Sequence, residues 1–404
     1  MSVNDLGQLR TTRYDPRPAL RGLLTALVDL VFALWARVGA LAGVVLLAGY
    51  FAALIGLDII RPVENWDTLA YIASAARDNF TTDADLHAWV YATAREAVSP
   101  EAFAALTQAD AWRLRQFTDA DAFVSMLGMY DVKWLYVQLI GVLAPVTGWW
   151  QAGIAINIAA ALLMTNAVVL WLSANRKLHY APLVAALLVV AGAEAFVMNS
   201  IPDFLAIALT TAGVLALDRG RGAAGATLLV LAVLTRPDSV AGVGVLLAAA
   251  WFFRDRMLPA LGVAFAVSVA AYLFVQGQSH HPGWWPHLWF STYKMQDSMA
   301  GFHPDFSAGV YLTAFAWNAA RSVVENTWIG LYVLVLGAWA VMHARGNVLP
   351  PRRTMLLAAL MAAIVAKFAI FPLHDARTYL PLLLPAMLLM LASLTVHSPK
   401  RDRR

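Results

Sequence analysis

The segment with the densest chemistry is Arg61-Pro62-Val63-Glu64-Asn65-Trp66-Asp67-Thr68-Leu69-Ala70-Tyr71. Glu64 and Asp67 are three apart, a spacing that puts two carboxylates on one helix face. Carboxylates so placed can serve as a general base or ligate a metal. Asp67 has a second reading, as the cap of a helix beginning at Thr68. Further along, charges recur in short polar breaks between apolar runs: Lys133 before Trp134-Leu135-Tyr136, Asp203 in Asn199-Ser200-Ile201-Pro202-Asp203, Arg236 and Asp238 in Thr235-Arg236-Pro237-Asp238, and Arg377 in His374-Asp375-Ala376-Arg377. Cations at such breaks can bind a phosphate and stabilise a departing anion. Each break also has a plain structural reading. Arg236 and Asp238 would be a turn pair around Pro237, Asp203 an N-cap, and Arg377 a partner of Asp375 or an interfacial anchor.

A second cluster lies in QGQSHHPGWWPHLWFSTYKMQDSMAGFHPDF, where His280, His281, His287 and His303 mingle with Trp284, Trp285, Trp289, Phe290 and Tyr293. The histidine spacing matches no compact metal motif. Aromatic rings of this kind anchor a protein at a membrane interface, and they can also stack on sugar rings as a lid.

The elements that must position these residues follow from composition. The chain has 404 residues, 60% hydrophobic and 13% charged, with a mean hydropathy of +0.64. Soluble domains carry roughly 45–50% apolar and about 25% charged residues, so the composition specifies an all-α polytopic membrane protein. It excludes a soluble enzyme, a disordered scaffold and a nucleic-acid module. The sequence contains no cysteine, so neither disulfides nor thiolate chemistry can contribute.

Residues 1–37 read as a basic cytoplasmic segment with Arg10, Arg13, Arg17, Arg21 and Arg37, and no cleaved signal peptide is recognisable. Apolar runs at 38–57, 150–173, 181–199, 203–217, 223–235, 239–253, 257–276, 328–343, 354–372 and 378–396 predict about ten transmembrane helices within a domain spanning 38–396. Basic clusters in every second connection put both termini in the cytoplasm, including a basic tail at 397–404. The helix expected at 132–146 is then interfacial or re-entrant. Within the outer loop 58–149, residues 58–131 show helical periodicity broken at Ser99-Pro100, which predicts two or three amphipathic helices on the bilayer surface. Gly39 and Gly43 form a GxxxG pair suited to close packing within the subunit.

With this order of segments the chain resembles the GT-C superfamily of membrane glycosyltransferases, in particular its dolichyl- or polyprenyl-phosphate mannosyltransferase and aminoarabinose transferase group. An acidic motif follows the first span, a long outer loop comes next, then YDVKWLYVQL, short apolar hairpins, and finally HDARTYLPLLLPAMLLMLA. The resemblance implies that Asp67 is the general base with Glu64 as helper. It implies that Arg236, Arg377 and Lys133 bind the donor phosphate, with Asp203, Asp238, Tyr71 and His374 in support. The family's loop pattern of a basic residue before Pro-Pro-Leu-Tyr lacks both prolines in Lys133-Trp134-Leu135-Tyr136. No cofactor is certain from these residues. A divalent metal near the acidic motif is what the resemblance allows.

The expected partners are a polyprenyl-phosphate sugar donor, a glycan or lipid acceptor, and membrane lipid, with no nucleic acid. The expected reaction is a single inverting displacement on the extracytoplasmic face of a bacterial inner membrane. Two other classes compete. An envelope polysaccharide polymerase or ligase usually carries its dominant outer loop late in the chain. A lipid or solute transporter should show inverted repeats and charges near mid-bilayer.

Overall fold

The computed structural model describes residues 17–60, 63 and 65–393, and every regular element among them is a helix. A long helix, α1 (Arg17–Ile60), leads into five short ones: α2 (Trp66–Ala76), α3 (Asp83–Ala97), α4 (Pro100–Gln108), α5 (Ala111–Thr118) and α6 (Ala120–Asp131). Next come α7 (Trp134–Thr147) and α8 (Trp149–Ala174), joined at Gly148, whose φ of 90° lies in a region open to glycine. Behind them α9 (Ala181–Val190) and α10 (Glu194–Val197) precede α11 (Asp203–Asp218), α12 (Gly222–Thr235) and α13 (Val240–Phe252). After α14 (Leu258–Gln278), a second irregular stretch carries α15 (Trp284–Thr292). The chain closes with α16 (Ala308–Val324), α17 (Trp328–Ala344), α18 (Pro351–Ile370) and α19 (Leu380–Ser393).

Among the described residues four helical stretches are long and apolar enough to cross a bilayer: Arg37–Ile60 within α1, α8, α14 and α18. The pair α16 and α17, bent by 76°, makes a fifth if taken as one broken span. Five other apolar stretches are only 10–17 residues long. At about 1.5 Å per residue they reach roughly 15–25 Å, short of the ~30 Å hydrocarbon core. The protein is therefore helical, with several helices able to span a membrane. Ten full-length spans are more than these helices supply, because an apolar run in sequence fixes hydropathy and leaves helix length open.

Two local expectations change. α1 starts at Arg17, well before Val38, and exposes Leu20, Leu23, Leu24, Leu27 and Phe32. The arginines of this segment masked a leucine-rich helical pattern. The described residues of 58–131 hold five α-helices rather than two or three, each opened by a side-chain cap. Asn65, Thr82, Ser99, Asp110 and Asp119 accept from the backbone N–H of Asp67, Asp85, Ala102, Arg113 and Ala122. The break at Ser99-Pro100 is where α4 begins.

These loop helices do not simply lie on a surface; they bury a core of their own. Trp66, Leu69, Ile72, Leu86, Phe123 and Leu127 form it together with Met299 from the late stretch. Trp112 Nε1 donates to Gln296 O at 2.9 Å, Gln116 Nε2 to Asp297 O at 2.8 Å, and Met299 N to Ser125 Oγ at 2.9 Å. At about 1.5–3 kcal/mol for each fully buried large apolar side chain, this core holds the two connections together as one cap. The larger core joins α8, α11, α18 and α19 through residues such as Met164, Phe204, Leu360 and Leu388. Gly43 packs within the chain, since a Cβ there would stand 2.9 Å from Pro182 Cδ. Away from the cap, Arg353 forks onto Asp218 at 3.0 Å, and Trp171 Nε1 donates to the same carboxylate at 2.8 Å.

Candidate functional site

Asn65 caps α2, accepting from the backbone N–H of Asp67 at 3.0 Å. Asp67 therefore sits in the first turn and does not cap the helix, so its carboxylate is free for tertiary contacts. The Tyr130 hydroxyl, from α6, donates to Oδ1 at 2.8 Å. Arg377, far along the chain, places Nη1 at 3.5 Å from Oδ2 and Nε at 2.9 Å from Asp375 Oδ2. Burial opposes the Arg377 charge, yet Asp375 and Asp67 outweigh it and raise the pKa above its ordinary value. Tyr71 is buried, with its ring edge-to-face on Tyr130 and Tyr136, both at 5.1 Å. The Thr68 hydroxyl donates to Ser200 O at 3.4 Å, tying α2 to the turn before α11. Glu64 lies outside the described residues.

A second ionic chain adjoins the first. Asp203, in the first turn of α11, pairs with Arg236 at the end of α12. The cap of α11 is Pro202, so Asp203 does not serve as its N-cap. Arg236 Nε lies 3.2 Å from Asp238 Oδ1, and Lys367 Nζ, from α18, lies 2.8 Å from Asp238 Oδ2. Lys367 also donates at 2.6 Å to the carbonyl oxygen of Thr378, the residue directly after Arg377, so one ammonium joins both chains. Buried charges survive only when paired and hydrogen-bonded, and each of these meets that condition.

Lys133 closes the group. Its Nζ donates to Met129 O and lies 5.5 Å from the centre of the Tyr130 ring, with no carboxylate partner among the described residues. Burial, then the nearby Arg236 charge, lowers its pKa to about 8. Beside it His281 Nε2 and His287 Nδ1 are 3.0 Å apart. Burial, with Lys133 second, lowers the pKa of His281 to about 4 and that of His287 well below the usual histidine value.

The structure thus brings together Asp67, Tyr71, Lys133, Asp203, Arg236, Asp238 and Arg377, all but the mid-helix Tyr71 at a helix end or connection. His374 stands apart, its ring bonded to Asn318 at 3.1 Å and 3.5 Å from Glu325. His280 and His303 stand outside the hydrogen-bonded pair. Sequence reading missed Tyr130 and Lys367. A lone lysine in the apolar run Ala363-Ile364-Val365-Ala366-Lys367-Phe368-Ala369 is itself a signal, because an ionisable residue at membrane depth is by default functional. Tyr130, one helical turn before Lys133, carried no such mark.

Among the described residues no group of three histidine or carboxylate side chains is placed to hold a metal. The two oxygens of Asp67 face a phenol and a guanidinium, and a cation already stands where a metal would bind. These residues therefore do not fit a metal, and no step is routed through one. What the arrangement can do is accept a proton at Asp67 and gather an anion between Lys133 and the arginines. No protein-family model matches the chain, and neither does any curated protein or solved structure.

Proposed function

We propose that the chain is a membrane glycosyltransferase of the GT-C type that moves a sugar from a polyprenyl-phosphate donor to an acceptor hydroxyl. The observation that carries this reading is the convergence of Asp67, Tyr130, Lys133, Arg236 and Arg377 in one group of contacts and charges. In this mechanism the acceptor oxygen attacks the anomeric carbon as the bond from that carbon to the phosphate oxygen breaks. The hydroxyl proton passes to Asp67, while the phosphate takes the bonding electrons and leaves against Lys133, Arg236 and Arg377. Tyr130 and Arg377 hold one Asp67 oxygen each and so aim the carboxylate. A single displacement inverts the anomeric configuration. The same reading includes about ten membrane passages, cytoplasmic termini and an extracytoplasmic site in a bacterial inner membrane, with glycan or lipid as acceptor.

The test is release of polyprenyl phosphate from a panel of polyprenyl-phosphate sugars by the purified protein, beside Asp67→Asn. Release by the wild type should fall at least 100-fold in the variant, the scale of losing a general base. Release that survives in Asp67→Asn removes it from the base role. A second reading, transport, draws on the ends of α12 and α13 meeting at Arg236 and Asp238, since transporters build ion sites at discontinuous helices. Folded protein that releases nothing from any donor, yet moves lipid between leaflets of a vesicle, would favour it.

A further inference from the structure

The His281 and His287 pair has one hydrogen-bonding pattern available to it. The backbone N–H of Gly283 donates to His281 Nδ1 at 3.1 Å. An amide N–H cannot accept, so His281 Nδ1 carries no proton and its neutral ring is protonated at Nε2. Gln276 Nε2 lies 2.9 Å from the same Nδ1 and shares its one lone pair, which also leaves no room for a proton there. His281 Nε2–H must then donate to His287 Nδ1, 3.0 Å away, which fixes the proton of His287 on its own Nε2. That last N–H has no protein partner among the described residues, and it is not one of the sealed polar atoms.

The support for the pair is rigid. Gly128 of α6 lies so close to the His280 carbonyl that a Cβ there would stand 2.2 Å from its oxygen. α6 thus packs against the irregular segment bearing His281 while presenting Tyr130 to Asp67 from the same helix. His287 is half-buried, edge-to-face with Phe371 at 5.3 Å, and it feels the charges of Lys133, Asp238 and Arg236. It brings a neutral donor and an aromatic wall to a site whose anion-binding role is already met by cations. Those are the features that recognise an uncharged hydroxyl oxygen on a sugar ring.

We infer that His287 Nε2–H is a sugar-reading donor of the site, held in one tautomer by the relay from Gly283 through His281. This rests on the transferase reading and assigns within it the residue that contacts a hydroxyl of the transferred sugar. His281 is a positioning residue for His287.

The test compares the full-length protein in nanodiscs binding polyprenyl phosphate and polyprenyl-phosphate hexoses, for wild type, His287→Leu, His287→Gln and His281→Leu. His287→Leu should weaken binding of one or more hexose lipids about tenfold and leave polyprenyl phosphate unchanged. His287→Gln, which keeps an N–H, should recover part of the loss, and His281→Leu should show a smaller loss with the same selectivity. Equal weakening for both lipid classes, or none, overturns the inference. Wild type that binds neither lipid overturns the transferase reading with it, so the two failures are distinguishable. Imidazole nitrogen-15 shifts of the lipid-free wild type supply a measurement independent of any variant's folding: both rings should be protonated at Nε2 alone, and a proton on His287 Nδ1 overturns the inference.

Discussion

Lys133 shows how a single side chain can set the conditions under which a site works. With its pKa near 8 it is mostly a cation at pH 7 and loses that charge as pH rises through about 8. A phosphodiester donor has no proton to lose over that range, so donor affinity should fall as pH goes from 7 to 9. Lys133→Arg, always charged, should flatten the profile while keeping donor binding within about tenfold of wild type at pH 7. A wild-type profile that is already level would remove Lys133 from the phosphate. Legibility at this scale was uneven. Asp67, Arg236 and Arg377 announced themselves by charge in polar breaks of an apolar sequence. Tyr130 did not, because a phenol that aims a carboxylate 63 positions away leaves no local pattern. For Asp67 and Asp203 the choice between capping and tertiary contact turned on which neighbour capped the helix, Asn65 or Pro202.

At the scale of elements, one helix boundary was readable, while the other caps and the packing were not read. Thr82, Ser99, Asp110 and Asp119 are residue types that start helices, and Ser99-Pro100 marked a boundary directly. That α2 to α6 would bury a common core with Met299 depends on pairings far apart in sequence. Glycine reports such a pairing at Gly128, where α6 meets the His280 carbonyl. Gly128→Ala must push that backbone away, and overpacking of this sort costs about 1–3 kcal/mol. The expected result is a lowered unfolding temperature in detergent together with weaker sugar-donor binding. Wild-type values for both would show that the segment can yield.

For the whole molecule, the absence of cysteine in the sequence makes topology directly testable. Ala97→Cys, exposed at the end of α3, and Val348→Cys, exposed between α17 and α18, provide the probes. A membrane-impermeant maleimide on intact cells should label Cys at 97 and spare Cys at 348, which should react only once the membrane is opened. The opposite pattern would invert the proposed orientation. Helical class was legible from hydropathy, whereas the count of spans was not. The break between the short helices α12 and α13 is held by the ion pairs of Arg236 and Asp238, and those pairs exist only in the folded chain.

The two ionic chains alternate in sign, with Arg236, Lys367 and Arg377 set against Asp67, Asp203, Asp238 and Asp375, and Lys133 stands beside them without a carboxylate partner among the described residues. The formal charges of these eight residues cancel when both lysines are protonated. In the proposed reaction, going from a phosphodiester to a phosphomonoester would add one negative charge to the lipid, and the proton captured by Asp67 would remove one from the protein. The sum over site and ligands would then stay constant through the displacement, and no counter-ion would have to cross the cap. Imbalance would arise only afterwards, when Asp67 gave up its proton beside a doubly charged product, and on that reading the repulsion is what would expel the lipid.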